Sequence, residues 1–245
     1  WLWILFFVSG SIWTYASWMR HQSFKSGFDM AIFTQAVWNT TQGSFLYSSI
    51  KGGICLLGDH FSPLLALFAL PYVLCPKPET LLLLQAFAAA SGVFPLYRLA
   101  HKKTGDSVWA VCVILAFCLY LPLRNSVRFE FHPEIAAIPL LLWGYVFLTE
   151  NKLWRASLML ALALSAKENI APVTFTFGIY ALFSRGKIFS FFWMIFSAFY
   201  FFLVTRVWIP AISGQEYFYL SGNFTAWKEA GTGPFIKHLF NAGTL

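Results

Sequence analysis

The sequence predicts an all-α protein that crosses a membrane several times, and three observations support this fold class. Of the 245 residues, 58% are hydrophobic, 20% are aromatic and 11% are charged, whereas about a quarter of the residues in soluble domains are charged. Apolar runs of membrane-crossing length recur along the chain, and the charged residues gather in short segments between them. This composition excludes a soluble globular domain.

The apolar runs define the predicted helices. The first run, Trp1 to Met19, is long enough to cross a hydrocarbon core of about 30 Å at about 1.5 Å per residue. It also lacks the small-residue cleavage site of a signal peptide. The later runs are Thr80 to Ala100, Val108 to Leu123, Ile135 to Thr149, a pair on either side of Lys167 and Glu168, and Ile188 to Ile209. Because the chain begins without Met and stops in a loop-like segment, we expect residues 1–245 to be one transmembrane module of a longer protein.

Basic residues in the short loops predict the orientation of the chain. Three such loops are residues 98–103, 152–155 and 185–187. Under the positive-inside rule these loops face the cytoplasm, so residues 20–79 and 124–134 form loops on the outer side. Within the first outer loop, Phe61 to Cys75 is short and followed or broken by prolines, which favours a helix at the interface over a membrane span. The short loops present no extended basic face, so we expect no binding to nucleic acid despite the net charge of +7.

Residues 156–183 are predicted to form two short helices in place of one long helix. A single helix would be about 42 Å long and would carry Lys167 and Glu168 at its middle. A charge at the centre of a membrane helix costs roughly 2.5 to 3.5 kcal/mol. Two legs that enter and leave the membrane would put this charged apex in a protein-lined or water-filled site. The two opposite charges also have a second interpretation, a structural ion pair between Lys167 and Glu168.

On the predicted orientation, the polar segments between the helices meet on the outer side of the membrane. They contribute the side chains of Asp29, Asp59, His60, His132, Glu134, Lys167 and Glu168. Polar clusters in a chain this apolar mark a working site by default. The sequence therefore predicts a candidate active site at the outer surface, built from carboxylates, imidazoles and an ammonium group.

The first two acidic positions have structural as well as functional interpretations. Asp29 precedes a short amphipathic stretch with Met30, Phe33 and Val37 on one face. Its carboxylate can cap that helix, or it can accept a proton from a hydroxyl group. The pair Asp59-His60 can orient an imidazole, bind a metal, contact a phosphate, or form the polar edge of a loop.

The loop between residues 124 and 134 has the same ambiguity. Pro133 and Glu134 are predicted to begin a helix, because proline is favoured in the first turn and an acidic residue at its positive end. His132 is either a satisfied loop histidine or a functional one. Arg124 and Arg128 are either anchors at the membrane interface or a planar clamp for a phosphate group.

Five segments of the chain carry a resemblance to a known family. They are FDMAIFTQAVWNTTQG, GDHFSPLLALFALPYVL, LLLLQAFAAASGVFPLYRLA, FEFHPE and LALSAKENIAP. They resemble uncharacterised multi-spanning prokaryotic membrane proteins, which are themselves similar to the GT-C superfamily of glycosyltransferases. The resemblance implies a GT-C-like helical module in a prokaryotic plasma membrane, with juxtamembrane helices in the first outer loop, residues 20–79. It also implies contact with membrane lipid and transfer of a sugar from a polyprenyl-phosphate donor at the outer face.

The resemblance implies roles for individual residues. Asp29 matches the acidic residue of the first loop, the base or acceptor-orienting group, and stands alone where several relatives have Asp-Glu. His60, followed by Ser62-Pro63, resembles a His-Pro-Pro segment. Lys167 corresponds to a Thr-Lys-Gly site where a cation can neutralise the leaving phosphate; it is followed by Glu-Asn where the closest family has Glu-Asp. The predicted catalytic residues are therefore Asp29, His60 and Lys167, and the predicted substrate contacts are Asp59, Arg124, Arg128, His132, Glu134 and Glu168.

Other mechanisms and classes of function stay open at this point. Asp29, Asp59 and His60 could hold a metal, but they lack a defined ligand spacing, so we expect a mechanism without a metal cofactor. A transporter or lipid-binding protein would use Lys167 and Glu168 as an intramembrane site. A structural subunit would direct Asp29 and Lys167 away from one another or into protein contacts. A transferase predicts one outward cavity lined by Asp29, His60, His132 and Lys167.

Overall fold

The computed structural model describes residues 1–183 and 186–221, and this part of the chain is almost entirely helical. The α-helices are α1 (Leu2–Gln22), α2 (Phe28–Thr41), α3 (Ala69–Tyr72), α4 (Pro78–Ala90), α5 (Val93–Thr104), α6 (Ser107–Leu119), α7 (Leu121–Phe129), α8 (Ala137–Thr149), α9 (Leu153–Leu164), α10 (Ala171–Leu182), α11 (Lys187–Leu203), α12 (Ile209–Ser213) and α13 (Phe218–Ser221). Shorter 3₁₀ turns cover Leu56–Gly58, Pro63–Phe68, Pro133–Ala136 and Glu168–Ile170, and a π turn covers Val204–Trp208. Two strands, β1 (Tyr47–Ser48) and β2 (Ile54–Cys55), pair antiparallel. The predicted all-α class is confirmed, and the end of the predicted module, residues 222–245, lies outside the described residues.

Three helical stretches of the described chain are long and apolar enough to cross a membrane. They are Leu2–Gln22, Pro78–Thr104 and Lys187–Ser213. A fourth candidate span consists of α6 and α7 together, which are bent by 46° relative to one another. The bend lies at Tyr120, whose backbone is extended, and Pro122 follows it and restricts the backbone of the intervening residue. These stretches coincide with four of the predicted apolar runs and make the chain a polytopic membrane protein.

The short helices confirm the helix lengths of two further predictions. α9 and α10 contain 12 residues each, so each is about 18 Å long and falls short of a hydrocarbon core of about 30 Å. They are the two predicted legs, and between them Lys167 has an extended backbone. Phe61 to Cys75 contains the 3₁₀ turn Pro63–Phe68 and the single-turn helix α3, which together are too short to span a membrane.

The helices pack in neighbouring pairs. α1 contacts α4 and α7, α5 contacts α6, α8 contacts α9, and α10 contacts α11. The contact between α10 and α11 depends on Gly178, because a Cβ there would lie 2.9 Å from both the Met194 nitrogen and the Ser190 carbonyl oxygen. Small residues allow this close approach of helix backbones within membranes.

The first predicted outer loop folds into a layer with an apolar core of its own. The predicted face of α2, with Met30, Phe33 and Val37, is buried in this core. The layer packs against Leu81 and Leu82 at the start of α4, and also against the ring of Phe131. Burial of this face therefore fixes the start of α2, where Asp29 lies, relative to the membrane helices.

The first and last residues of α1 lie at opposite ends of the molecule. At its start the ring of Trp1 packs against Tyr97, with 5.0 Å between centroids. At its other end the Nε of Arg20 donates a hydrogen bond to the carbonyl oxygen of Phe129 at 2.9 Å. We call the first the Glu150 end, after the carboxylate that binds basic side chains there. The polar segments singled out above lie at the opposite end.

Candidate functional site

Two buried side chains for which the sequence predicted no role, Gln85 and Glu130, hold the loop after α7 in place. Gln85 donates a hydrogen bond to the carbonyl oxygen of Glu130 at 2.8 Å and accepts one from the backbone amide of His132. Glu130 accepts hydrogen bonds from the backbone amides of Gly27 and Met30. Since free amides at a helix start need an acceptor, Glu130 caps α2 from about 100 residues away along the chain.

The interpretation of Asp29 as the cap of α2 is wrong. The cap position belongs to Gly27, and Asp29 lies in the first turn of the helix with a side chain that is 49% exposed. Its Oδ2 lies 3.3 Å from Nε2 of His132, and Nδ1 of the same ring faces the carbonyl oxygen of Glu130 at 3.4 Å. Because Glu130 binds the amides of Gly27 and Met30, the carboxylate of Asp29 is not used as a cap and instead faces the imidazole of His132.

The carboxylate of Glu168 is fully buried and accepts three hydrogen bonds. The donors are Nδ1 of His60 at 2.8 Å, the backbone amide of Phe61 at 2.9 Å and the hydroxyl of Tyr217 at 2.6 Å. Tyr217 was not among the predicted site residues, and its position far along the chain gave no signal of this contact. Glu168 therefore ties together three segments that are remote in sequence.

Lys167 does not pair with Glu168, so the predicted structural ion pair between these neighbours is wrong. Its ammonium group donates a hydrogen bond to Oε1 of Glu134 at 3.0 Å. The backbone of Lys167 is extended, with φ of −171° and ψ of 150°, and successive side chains of an extended chain point in opposite directions. Each of the two charges consequently has a partner in a different part of the protein.

Tyr219 packs against His60 of the same group of polar side chains. Its ring stacks on His60, with 4.3 Å between centroids. Burial raises the pKa of its hydroxyl to about 12, and the charges of Asp59, Asp29 and Glu168 add to this rise.

The seven polar side chains predicted to converge, together with Lys51, form four acid-base pairs at this end of the molecule, two with a lysine and two with an imidazole. The pairs are Lys51 with Asp59 at 2.9 Å, His60 with Glu168, Lys167 with Glu134, and His132 with Asp29. Asp59 adjoins His60, Glu168 adjoins Lys167, and Glu134 lies two residues from His132, so the pairs follow one another through the structure. We call this continuous arrangement the ion-pair chain.

Two open clefts border the ion-pair chain. The first has a volume of about 440 Å³, and its lining includes Lys51, Asp59 and Tyr219. The second has a volume of about 410 Å³ and is lined by Asn125, Ser126, Phe129, His132, Glu134 and Ile135. Neither of these two clefts is lined by Asp29, His60 or Lys167. The prediction of one cavity lined by these three residues and His132 therefore does not describe these clefts, because the ion pairs hold the side chains between them.

Arg124 and Arg128 lie beside the second cleft. Both are exposed on α7, the helix that also contributes Asn125 and Phe129 to the cleft lining. Within residues 1–183 and 186–221, neither guanidinium group forms an ion pair with a carboxylate. Within the described residues, both charges are consequently available to bind an anionic ligand.

The three residues considered above as possible metal ligands each have a different partner. Asp59 binds Lys51, His60 binds Glu168, and Asp29 faces His132. In the part of the chain that the structure describes, no three His, Cys, Asp or Glu side chains form a group that could hold a metal ion. Each of these three residues is instead one member of a pair between a carboxylate and a basic side chain.

The stability of the protein is expected to fall in acid because of Glu168. Burial by itself raises the pKa of this carboxyl, but the hydrogen bond and charge of His60 and the hydrogen bond from Tyr217 outweigh it, so its pKa lies below the ordinary value of 4.5. A carboxyl whose pKa is lower in the folded state stabilises the fold fully above its unfolded pKa, and that contribution is lost as the pH falls below it. We expect the Tm of the wild-type protein to fall as the pH is lowered from 7 to 3, mainly below about pH 4.5. The Tm of Glu168→Gln should fall less over the same range. Equal acid sensitivity of the two proteins would contradict this assignment.

Comparison with known proteins places the chain in a family. A profile of predicted membrane proteins matches residues 20–244. The chain belongs to the DUF2079 family. No curated protein and no solved structure matches it. The matched region contains the whole ion-pair chain, and the predicted resemblance to an uncharacterised membrane-protein family is confirmed by this DUF2079 membership.

Proposed function

We propose that this DUF2079 protein is a glycosyltransferase of the GT-C type, which takes a sugar from a polyprenyl-phosphate donor at the outer face of a prokaryotic plasma membrane. One observation carries the proposal. The half-exposed carboxylate of Asp29 is oriented by His132, two residues from Glu134, which binds the ammonium group of Lys167. A carboxylate able to accept a proton and cations able to neutralise a phosphate thus lie at the same end of the membrane helices.

The proposed reaction needs one base and a stabilised leaving group. The acceptor hydroxyl gives its proton to Asp29 as its oxygen forms a bond with the anomeric carbon of the sugar. The bond between that carbon and the phosphate oxygen breaks, and the electron pair leaves with polyprenyl phosphate. Lys167, already oriented by Glu134, is the proposed partner for the charge that develops on this phosphate.

The second cleft is the proposed site of the donor phosphate; Lys167 does not line this cleft but binds Glu134, which does. The cleft brings His132 and Glu134 next to α7, whose Arg124 and Arg128 have exposed guanidinium groups. Planar guanidinium groups suit bidentate binding of phosphate oxygens. The apolar side of the same lining, Phe129 and Ile135, is the part suited to the first isoprene units of the carrier.

The outer location of the site rests on the loop charges. The basic loops around residues 98–103 and 152–155 lie at the Glu150 end, opposite the ion-pair chain. If that end faces the cytoplasm, as the positive-inside rule predicts, the ion-pair chain faces outside. A donor carried by a membrane lipid is the form in which activated sugars would reach such a site.

One observation favours a transporter as a second candidate. The short helices α9 and α10 break at a buried charge, Glu168, and broken helices with charged residues form substrate sites in many transporters. In this protein, however, the carboxylate of Glu168 is occupied by three donors from the protein itself. A transported ion would have to displace them.

The proposal is tested by assaying sugar transfer in membranes that contain the full-length protein. Radiolabelled sugars are supplied on a panel of polyprenyl-phosphate carriers, and membranes from cells without the protein serve as the control. We expect release of polyprenyl phosphate together with label in a new product for at least one donor. Absence of transfer with every donor, combined with uptake of a solute into proteoliposomes, would replace the transferase by the transporter.

A further inference from the structure

A groove at the Glu150 end has an apolar floor and a basic rim. It has a volume of about 690 Å³ and is lined by Leu2, Trp3, Phe94, Tyr97, Arg98, His101, Lys102, Trp143 and Glu150. The rings of Trp3 and Phe94 pack edge to face at 4.8 Å, which gives the floor a continuous aromatic surface. This groove is remote from the ion-pair chain and has no role in the proposed sugar transfer.

The rim of the groove carries more positive than negative charge. Arg98 donates two hydrogen bonds to Glu150, at 2.6 and 2.8 Å, and Lys152 binds the same carboxylate at 2.7 Å. Lys102 is exposed, and its ammonium group lies 3.4 Å from the carbonyl oxygen of Thr149. Two cations thus share one carboxylate and a third, Lys102, binds a backbone carbonyl, so the net charge of the rim is positive and attracts an anion.

A histidine at the rim adds a hydrogen-bonding group. His101 stacks on Tyr97, with 5.4 Å between centroids and 13° between planes. Its Nδ1 is buried, and it has no hydrogen-bond partner within residues 1–183 and 186–221. Because Nδ1 is covered by protein, the other ring nitrogen, Nε2, is the hydrogen-bonding group that His101 can offer to a bound molecule.

We propose that this groove binds an anionic phospholipid, with the phosphate at Lys102 and His101 and an acyl chain along Trp3 and Phe94. An amphiphile fits because the lining combines the basic side chains of Arg98 and Lys102 with the aromatic rings of Trp3, Phe94 and Trp143. Basic pockets between membrane helices bind anionic head groups, and tryptophan rings favour the same interfacial depth. A free phosphate ion would match the rim but would leave the aromatic floor uncovered.

The proposal is tested by lipid retention on the purified full-length protein. The protein is exchanged into micelles that contain equal amounts of phosphatidylglycerol and phosphatidylcholine, and bound lipids are counted by native mass spectrometry. We expect preferential retention of phosphatidylglycerol, and a loss of affinity of about fivefold in Lys102→Gln, the value for one basic residue near a membrane surface. Lys103→Gln is the matched control, since Lys103 is exposed and does not line the groove.

Three results would overturn the lipid site. They are equal retention of the two lipids, equal losses in Lys102→Gln and Lys103→Gln, and full competition by glycerol phosphate, which lacks acyl chains. The apolar contact has its own pair of variants, Trp143→Ala in the groove and Trp109→Ala outside it. We expect only Trp143→Ala to lower retention, and equal effects of the two would likewise contradict the proposal.

Discussion

Replacement of Asp29 by asparagine is expected to lower the rate of sugar transfer by about 10²- to 10⁴-fold, the range for loss of a general base. An amide of the same shape keeps the contact with His132 but cannot accept the proton of the acceptor hydroxyl. The fold should be unaffected, because the side chain is 49% exposed and the free amides of α2 are capped by Glu130. The measurement is initial rate with the donor that the wild-type protein uses, together with Tm.

The matched control for this variant is Asp106→Asn. Asp106 caps α6 by accepting a hydrogen bond from the amide of Val108 at 2.7 Å, and asparagine caps a helix about as well as aspartate. The control should keep both rate and Tm. If Asp29→Asn transferred sugar at the wild-type rate, Asp29 would not be the base, although the protein could still be a transferase.

The membrane helices were predictable from the sequence because the signal for them is local. A run of about 20 apolar residues is enough to identify a span whatever the rest of the chain does. The same reasoning identified the break between α9 and α10, since Lys167 and Glu168 could not lie in the middle of one long helix. Rare charges also marked the segments that form the ion-pair chain.

The partners of those charges were not predictable, because helix packing decides them. Glu168 and His60 lie 108 residues apart in sequence, and Lys167 and Glu134 lie 33 apart. Adjacency suggested a pair between Lys167 and Glu168, whereas the extended backbone at Lys167 directs them to different partners.

Glu130 was missed for a related reason. Its partners are backbone amides, which every residue except proline carries and which no sequence pattern distinguishes. The available signal was its position between Phe129 and Phe131, because a carboxylate flanked by two aromatic residues needs a buried donor. Its consequence for the site is large, since a cap supplied by Glu130 leaves the carboxylate of Asp29 to pair with His132.

The largest effect on stability is expected from Glu168→Ala. The substitution would leave His60, Phe61 and Tyr217 without their common acceptor in a buried site. Removal of one partner from a buried charged pair costs about 3 to 5 kcal/mol, which corresponds to a fall in Tm on the order of 10 °C for a chain of this size. Thermal unfolding of the detergent-solubilised protein measures this change.

Two comparisons separate the role of Glu168 from a general effect of losing a carboxylate. Glu216→Ala removes an exposed carboxylate that lines the first cleft, and it should change the free energy of unfolding by less than about 0.5 kcal/mol. Glu168→Gln keeps one acceptor oxygen and should fall between the wild type and Glu168→Ala. If Glu168→Ala melted with the wild type, the segments around His60 and Tyr217 would be held by other contacts. Glu168 would then be free for a transported ion, which is the condition that the second candidate function requires.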